Sequence, residues 1–289
     1  MKIKILIPVY NDWQSVSKLL DEINLNLLNL EHEISVIIIN DASNHDREEE
    51  LKNFENIDSI KILNMKINQG HAICLANGIN YAIKNYKFDN LILMDADGED
   101  RPEEIIDLIN KANQLKDISV VAKRIKRSEG PIFTFFYNLH KILTFIFTGK
   151  LINFGNFSII TKKDAETIIK DPTIIYCFAS TLKNKTKTLG NINCIRGKRY
   201  FGPSKMPLLK LIIHSFSIIA VFKMNVFIRS ALFLVLLSYL QPYIGTIAHT
   251  LQLLLVVFNI LIYLVSTKSN EKKLENMDLE LGDIKKITH

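Results

Sequence analysis

Cysteine is scarce in this chain of 289 residues. The three present, Cys74, Cys177 and Cys194, lie far apart and form no CxxC pair. That excludes a disulfide framework and a zinc finger, and it fits a reducing compartment. Glycine and proline, 11 and 7, are too few for a fibrous or linker-rich protein. No Gly-rich phosphate loop is present, since neither GxGxxG nor GxxxxGK[ST] occurs. A phosphate ligand must then be met by a metal and by Arg or Lys, which argues against a dinucleotide enzyme and against a P-loop NTPase. A nucleophile elbow is missing too, as is any Cys/His pair suited to covalent catalysis. The N-terminus, MKIKILIPVYND, lacks the apolar core and cleavage site of a signal peptide, so the first domain is expected to stay in the cytosol.

Acidic residues are missing from one long stretch of the second half. Residues 1–110 hold 20 Asp/Glu and 10 Lys/Arg, whereas Pro172 to Asn270 hold 11 Lys/Arg and no acid. Such a basic stretch suits nucleic acid or an anionic membrane surface. Hydrophobicity decides for the membrane. Charge of either sign is absent from the 38 residues between Arg229 and Lys268. One bilayer crossing takes ~20 apolar residues, so the run suits two short spans. Gln241, Pro242 and Gly245 interrupt it where a hairpin would turn. Lys223, Arg229, Lys268, Lys272 and Lys273 flank its outer ends, and the turn has no charge. The positive-inside rule then places both termini in the cytoplasm, as a multi-pass protein of the inner membrane with its N-terminal domain cytoplasmic. Nucleic acid is excluded as a partner, because the basic residues sit beside a membrane hairpin. The segment MPLLKLIIHSFSIIAVFKM (206–224) has the spacing of a helix lying in the membrane interface. A second apolar segment, IFTFFYNLHKILTFIF (132–147), suits either lipid contact or core packing. The expected organisation is a cytosolic domain at 1–205, an amphipathic helix at 206–224, two transmembrane helices at 225–267 and a charged cytoplasmic tail at 268–289. Truncation after about Lys223 is expected to release the first domain.

The first domain alternates between two periods. KIKILIPVY, ISVIIIN (34–40), SIKIL (59–63), NLILMD (90–95) and SVVAK (119–123) read as strands. The unbroken β-branched run at 34–40 is typical of a parallel strand buried on both faces. Residues 13–30, 46–54, 71–86 and 102–115 read as helices, the last with Pro102 at its first turn. This alternation predicts an α/β fold, a mostly parallel sheet with helices on both faces.

Ligands of such sheets bind at the carboxyl ends of the strands. Polar residues collect there: Tyr10-Asn11-Asp12, Asn40-Asp41-Ala42-Ser43, and Asp95-Ala96-Asp97-Gly98-Glu99-Asp100. The last group puts four carboxylates in six residues after an apolar strand, where they repel one another. A hard divalent cation would offset that repulsion, and alternate carboxylates suit oxygen coordination of Mg²⁺ or Mn²⁺. Asp100 and Glu103 also suit the capping of the following helix.

Together, ILIPVYND, IIINDAS, NQGHAICLANGINYA and LILMDADGEDRPEEI resemble the family-2 glycosyltransferases of GT-A (Rossmann-like) fold. VVAKRIKR, GNFSIITKKDAETI and RYFGPSKMPLLKLIIHSF resemble the acceptor half of the branch that includes dolichyl-phosphate mannose synthase and bacterial polyprenyl-phosphate glycosyltransferases. The resemblance runs from about Lys2 to Arg229. It implies that Pro8, Tyr10, Asp41 and Asp95 bind the nucleotide-sugar, and that Asp95 and Asp97 carry the metal and diphosphate. Glu99 stands where Gln is common and would add a charged ligand. Arg124 and Arg127 match a basic loop facing phosphates and join Asp97 as the implied catalytic residues. Arg199, Ser204 and Lys205 match an acceptor-side RxxxxSK segment. The chain departs from the pattern at Asn40 (usually Asp), His71 (often Lys), Asn156 (Asp in many members) and Ser158 (Arg in many).

The implied activity is inverting transfer of a sugar from a nucleotide-sugar to a polyprenyl phosphate at the cytoplasmic leaflet, with Mg²⁺ or Mn²⁺ as cofactor. A phosphate monoester is already a nucleophile at neutral pH and needs only positioning. A sugar hydroxyl needs a carboxylate base. Between Glu129 and the tail the only acids are Asp164, Glu166 and Asp171, which favours the phosphate. Two alternatives remain: elongation of a lipid-linked saccharide for cell-envelope polysaccharide, and a catalytically inactive, membrane-tethered binding module. The resemblance leaves homo-oligomerisation open, since relatives often form tetramers through their membrane helices.

Overall fold

The computed structural model describes residues 1–28, 30, 32–44, 51, 54–126, 131–202, 208–267 and 276–287. The expected helix at 46–54 falls almost wholly outside them, as do Arg127, Ser204 and Lys205. The chain divides into two compact units. The first comprises residues 1–128, 153–204 and 271–289, and the second residues 129–152 and 205–270.

The first unit begins β1 (Lys2–Val9), α1 (Trp13–Asn26), β2 (Glu33–Asn40), β3 (Ser59–Met65), α2 (His71–Asn85), β4 (Asn90–Leu93), α3 (Glu104–Leu115) and β5 (Val120–Lys126). After α4 (Pro131–Thr148), a part of the second unit, it resumes with β6 (Phe154–Thr161), α5 (Lys162–Ile168), α6 (Phe178–Lys185) and β7 (Gly190–Ile195). One eight-stranded sheet runs in the order β7-β5-β6-β4-β1-β2-β3-β8, where β8 is Leu281–Ile287. Strands β4, β1, β2 and β3 are parallel, as are β5 and β7. Strand β6 lies antiparallel between β4 and β5.

Alternation along the central strands sorts side chains between two cores. Ile5, Ile7, Val36 and Ile38 pack on one face with Val16, Leu19, Leu20 and Ile23 of α1 and Ile105, Leu108 and Ile109 of α3. Leu6, Ile37, Ile39 and Leu93 pack on the other with Cys74, Leu75 and Ile79 of α2 and Phe178 and Leu182 of α6. Burial on both faces explains why these strands read as unbroken apolar runs. The charged tail supplies the last strand. Strand β8 pairs antiparallel with β3, Ile62 opposite Lys285, and its side chains stay mostly exposed.

The second unit joins α4 to α7 (Leu208–Ala220), α8 (Lys223–Ile244) and α9 (Thr246–Ser266). Helices α8 and α9, of 22 and 21 residues, are long and apolar enough to cross a membrane. Helix α4 packs with them. The Phe147 ring lies 4.5 Å from that of Phe258 and 5.8 Å from that of Phe233. Arg229 Nη1 donates to the Ile146 carbonyl at 3.1 Å and Asn225 Nδ2 to that of Thr148 at 3.1 Å. Both satisfy carbonyls that the end of α4 leaves open. Truncation after Lys223 would strip this aromatic face of its cover. The expected outcome is a fragment that aggregates without detergent in size-exclusion chromatography. That replaces the release expected from sequence alone.

Candidate active site

Three strand ends and one returning segment build the site. The turn after β1 holds Asn11 at φ 51° and the turn after β2 holds Ala42 at φ 53°. Side chains satisfy these strained turns: Asn11 N–H donates to Ser43 Oγ (2.9 Å), Ser43 N–H to Asn40 Oδ1 (3.0 Å) and Asn44 N–H to Asn11 Oδ1 (2.8 Å). Asn40 also donates to Asn64 Oδ1 at 2.8 Å, and Asn64 donates to Asp283 of β8 at 3.3 Å. The amide at position 40 thus has a structural use, because a carboxylate could not donate to Asn64. Asp41 is buried and accepts from the Gln69 N–H (2.7 Å) and the Gly70 N–H (2.8 Å), which ties the β2 turn to the start of α2. Pro8 is buried within β1 and Tyr10 is exposed.

Each of the four carboxylates after β4 has a cationic partner. His71, the first residue of α2, places Nε2 2.8 Å from Asp95 Oδ1, and Asn156 Nδ2 approaches the same oxygen at 3.3 Å. Arg199 Nη1 donates to Asp97 Oδ2 at 2.5 Å and lies 3.9 Å from Asp12 through Nη2. Arg196 Nε donates to Glu99 Oε2 at 2.9 Å. Arg124 of β5 pairs with Asp100 at 3.1 Å. The repulsion expected within the acidic run is therefore met by protein cations. Arg196 has no place in the sequence reading, although RGKR at 196–199 mirrors DGED at 97–100 in its charge pattern.

Backbone contacts fix this pairing. Gly197 N–H donates to the Glu99 carbonyl (2.9 Å) and Tyr200 N–H to the Asp97 carbonyl (2.8 Å). Gly98 adopts φ +84° against the Tyr200 ring, and a Cβ on Gly197 would meet the Gly98 carbonyl at 2.3 Å. Both glycines are required by this close approach.

The carboxyls divide in their affinity for protons. Burial opposes the charge of Asp95, but His71, then Arg124 and Asn156, hold its carboxyl well below the usual range. Burial and the Asp95 charge push Asp100 up to about 7, although Arg124 opposes them. Burial, then Asp95, also raises Asp97 in spite of Arg199. Close carboxylates cannot all ionise at once where burial limits their solvation. A carboxyl whose folded pKa is raised gives stability that is complete below its unfolded pKa and is lost as pH rises through the folded one. For Asp100 that window runs from 3.8 to about 7. Asp97 and the raised His71 act with the same sign. The melting temperature is expected to fall between pH 5 and 8, and Asp100→Asn to flatten the fall below pH 7 in differential scanning fluorimetry.

Among the described residues, no group of three His, Cys, Asp or Glu side chains is placed to hold a metal ion. Magnesium-type ions do not require one, since they are usually bound by one or two carboxylates plus substrate phosphates. Asp97 fits that mode. Its oxygen donors are hard, and it stands beside Asp95 and Glu99: burial, together with their charges, raises its proton affinity in spite of Arg199. Ser158 cannot meet a lipid phosphate, because it is fully buried in β6.

The family model for glycosyl transferase family 2 matches residues 4–190. The chain is a member of that family. Similar family members include the undecaprenyl-phosphate 4-deoxy-4-formamido-L-arabinose transferase of Proteus mirabilis, 26% identical over 73% of this chain and 64% of the relative. The uncharacterized glycosyltransferase YkcC of Bacillus subtilis is 26% identical over 72% and 64%. The chain thus spans about two-thirds of the length of these relatives. Among solved structures, glucosyl-3-phosphoglycerate synthase of Mycobacterium tuberculosis, in complex with Mn²⁺, UDP and phosphoglyceric acid, aligns with a TM-score of 0.56. It is 13% identical and covers 78% of each chain. That likeness is one of fold, and the sheet is of the GT-A type the sequence predicts.

Proposed function

We propose that this family-2 glycosyltransferase transfers a sugar, with inversion, from a nucleotide-sugar to a polyprenyl phosphate at the cytoplasmic leaflet, anchored by α8 and α9. The observation that carries the reading is that the acids of the acceptor half, Asp164, Glu166 and Asp171, each have a partner within the fold. Asp164 Oδ2 accepts from Ser119 Oγ at 2.5 Å, at the first turn of α5. Glu166 pairs with Lys162, and Asp171 with Lys185 at 2.6 Å. Position 156 offers an amide already bound to Asp95. A phosphate monoester needs no base, only orientation beside cations. The name of the Proteus relative and the basic stretch at 172–270 support the same acceptor class.

Asp41, Tyr10 and Pro8 frame the donor's base and ribose, and Asp95 and Asp97 its diphosphate. A divalent ion, Mg²⁺ or Mn²⁺, held at Asp97 with Asp95 or Glu99, would stabilise charge on the departing diphosphate. Arg124, with Arg127, opposes the developing negative charge. Arg199, which the resemblance matches to the acceptor side, lies on Asp97 of the acid loop, and Ser204 and Lys205 orient the acceptor phosphate. Donor binding at this site agrees with the UDP and Mn²⁺ in the Mycobacterium structure. Asn40 is occupied structurally, so its departure from the usual Asp does not indicate a decayed enzyme.

The test is the Asp164→Asn variant. It is expected to turn over at the wild-type rate across pH 6 to 8. A variant that binds donor and acceptor normally yet cannot react would make Asp164 the base and the acceptor a hydroxyl.

A further inference from the structure

The acid loop is covered by protein cations at the positions that donor chemistry needs. Arg196 and Arg199 carry guanidiniums that occupy Glu99 and Asp97, the residues suited to a divalent ion. Two backbone hydrogen bonds clip the segment bearing them to that loop. The anchors are therefore fixed, while the side chains are long and can rotate. Arg199 also leaves its Nε–H buried without an acceptor. An orphaned buried donor of this kind is costly and is relieved by an incoming oxygen. Guanidinium is suited to bidentate binding of phosphate.

We propose that Arg196 and Arg199 form an exchangeable cation pair. They occupy Asp97 and Glu99 before the donor binds, yield those carboxylates to the divalent ion, and take the diphosphate oxygens in return. This rests on the reading of the site as a metal–nucleotide-sugar site and adds Arg196 to it. Metal and diphosphate bring opposite charges, so the exchange keeps a poorly solvated site near neutrality. Neither ligand completes the exchange alone: the ion must displace guanidiniums, and the diphosphate must draw them from carboxylates. Metal and nucleotide therefore bind with positive coupling, and that coupling passes through these two side chains.

The experiment uses the full-length chain in detergent. Mn²⁺ binding is read by electron paramagnetic resonance of the free ion. UDP and GDP binding is read by titration calorimetry, with and without Mn²⁺. In the wild type, Mn²⁺ is expected to tighten the preferred nucleotide by about 10-fold or more, within the usual range of coupling between sites. Arg196→Gln and Arg199→Gln should each bind Mn²⁺ alone more tightly and bring the coupling below about 3-fold. Glu99→Gln, which deletes a carboxylate without removing an arginine, should tighten nucleotide binding in the absence of metal. Glu103→Gln, a charge-matched control paired with Arg101, should leave the coupling unchanged.

Wild-type coupling that persists in both arginine variants would overturn the exchange while leaving the metal–nucleotide reading intact. Equal weakening of nucleotide binding with and without Mn²⁺ would do the same, as would an unfolded pair of arginine variants together with a Glu99→Gln chain that binds metal-free nucleotide no better. A wild-type chain that binds neither Mn²⁺ nor either nucleotide would overturn both.

Discussion

Asp97→Asn is expected to reduce transfer by about 10²–10³-fold, the scale on which loss of one preorganised electrostatic contact lowers catalysis. Stability should barely change. Asp97 accepts the Glu99 N–H through Oδ1, an acceptor that Asn retains. Its ionised form is costly in this site, since burial and Asp95 raise its proton affinity. A neutral amide removes that cost while giving up the Arg199 pair, so the two effects oppose. Turnover with labelled donor and a melting curve on the same preparation check the prediction. An unfolded variant would make Asp97 a structural residue, and an active one would remove it from the site.

Arg124→Met is expected to be the most destabilising single change in the site. Its partner Asp100 is 2% exposed. Removing one partner of a buried pair costs ~3–5 kcal/mol, because the other charge is left without compensation. Asp95 would also lose part of the field that holds it ionised. Asp100 is able to take up a proton, so the loss should be smaller at pH 6 than at pH 8. The double variant Arg124→Met, Asp100→Asn should recover most of the stability and none of the activity, because Asn cannot replace the cation. Full recovery of transfer in the double variant would reduce Arg124 to a structural partner of Asp100.

The parts of the fold legible in the sequence are those whose burial dictates composition. Strands β1, β2 and β4 lie at the sheet's centre with both faces covered, so they had to be continuous apolar runs. Strands β7 and β8 sit at the edges. Mixed residues such as GNINCI and LGDIKKI become strands there because a neighbour offers a hydrogen-bonding edge, which no local pattern encodes. The site divides in the same way. The carboxylate run is local and was readable. The cations that meet it come from His71, Arg124, Arg196 and Arg199, and the two last lie about a hundred residues away along the chain. Charge pairing at that separation depends on the sheet order and on two glycines that let the backbones touch.

The central claim is the chemical nature of the acceptor. The direct measurement incubates membranes carrying the full chain with radiolabelled UDP- and GDP-sugars, Mn²⁺ and added undecaprenyl phosphate, then extracts the lipid and treats it with mild acid. The account predicts label in the organic phase that rises with added undecaprenyl phosphate and is released by acid as free sugar, as a glycosyl phosphate linkage requires. Label joined through a saccharide hydroxyl, indifferent to added undecaprenyl phosphate, would contradict it.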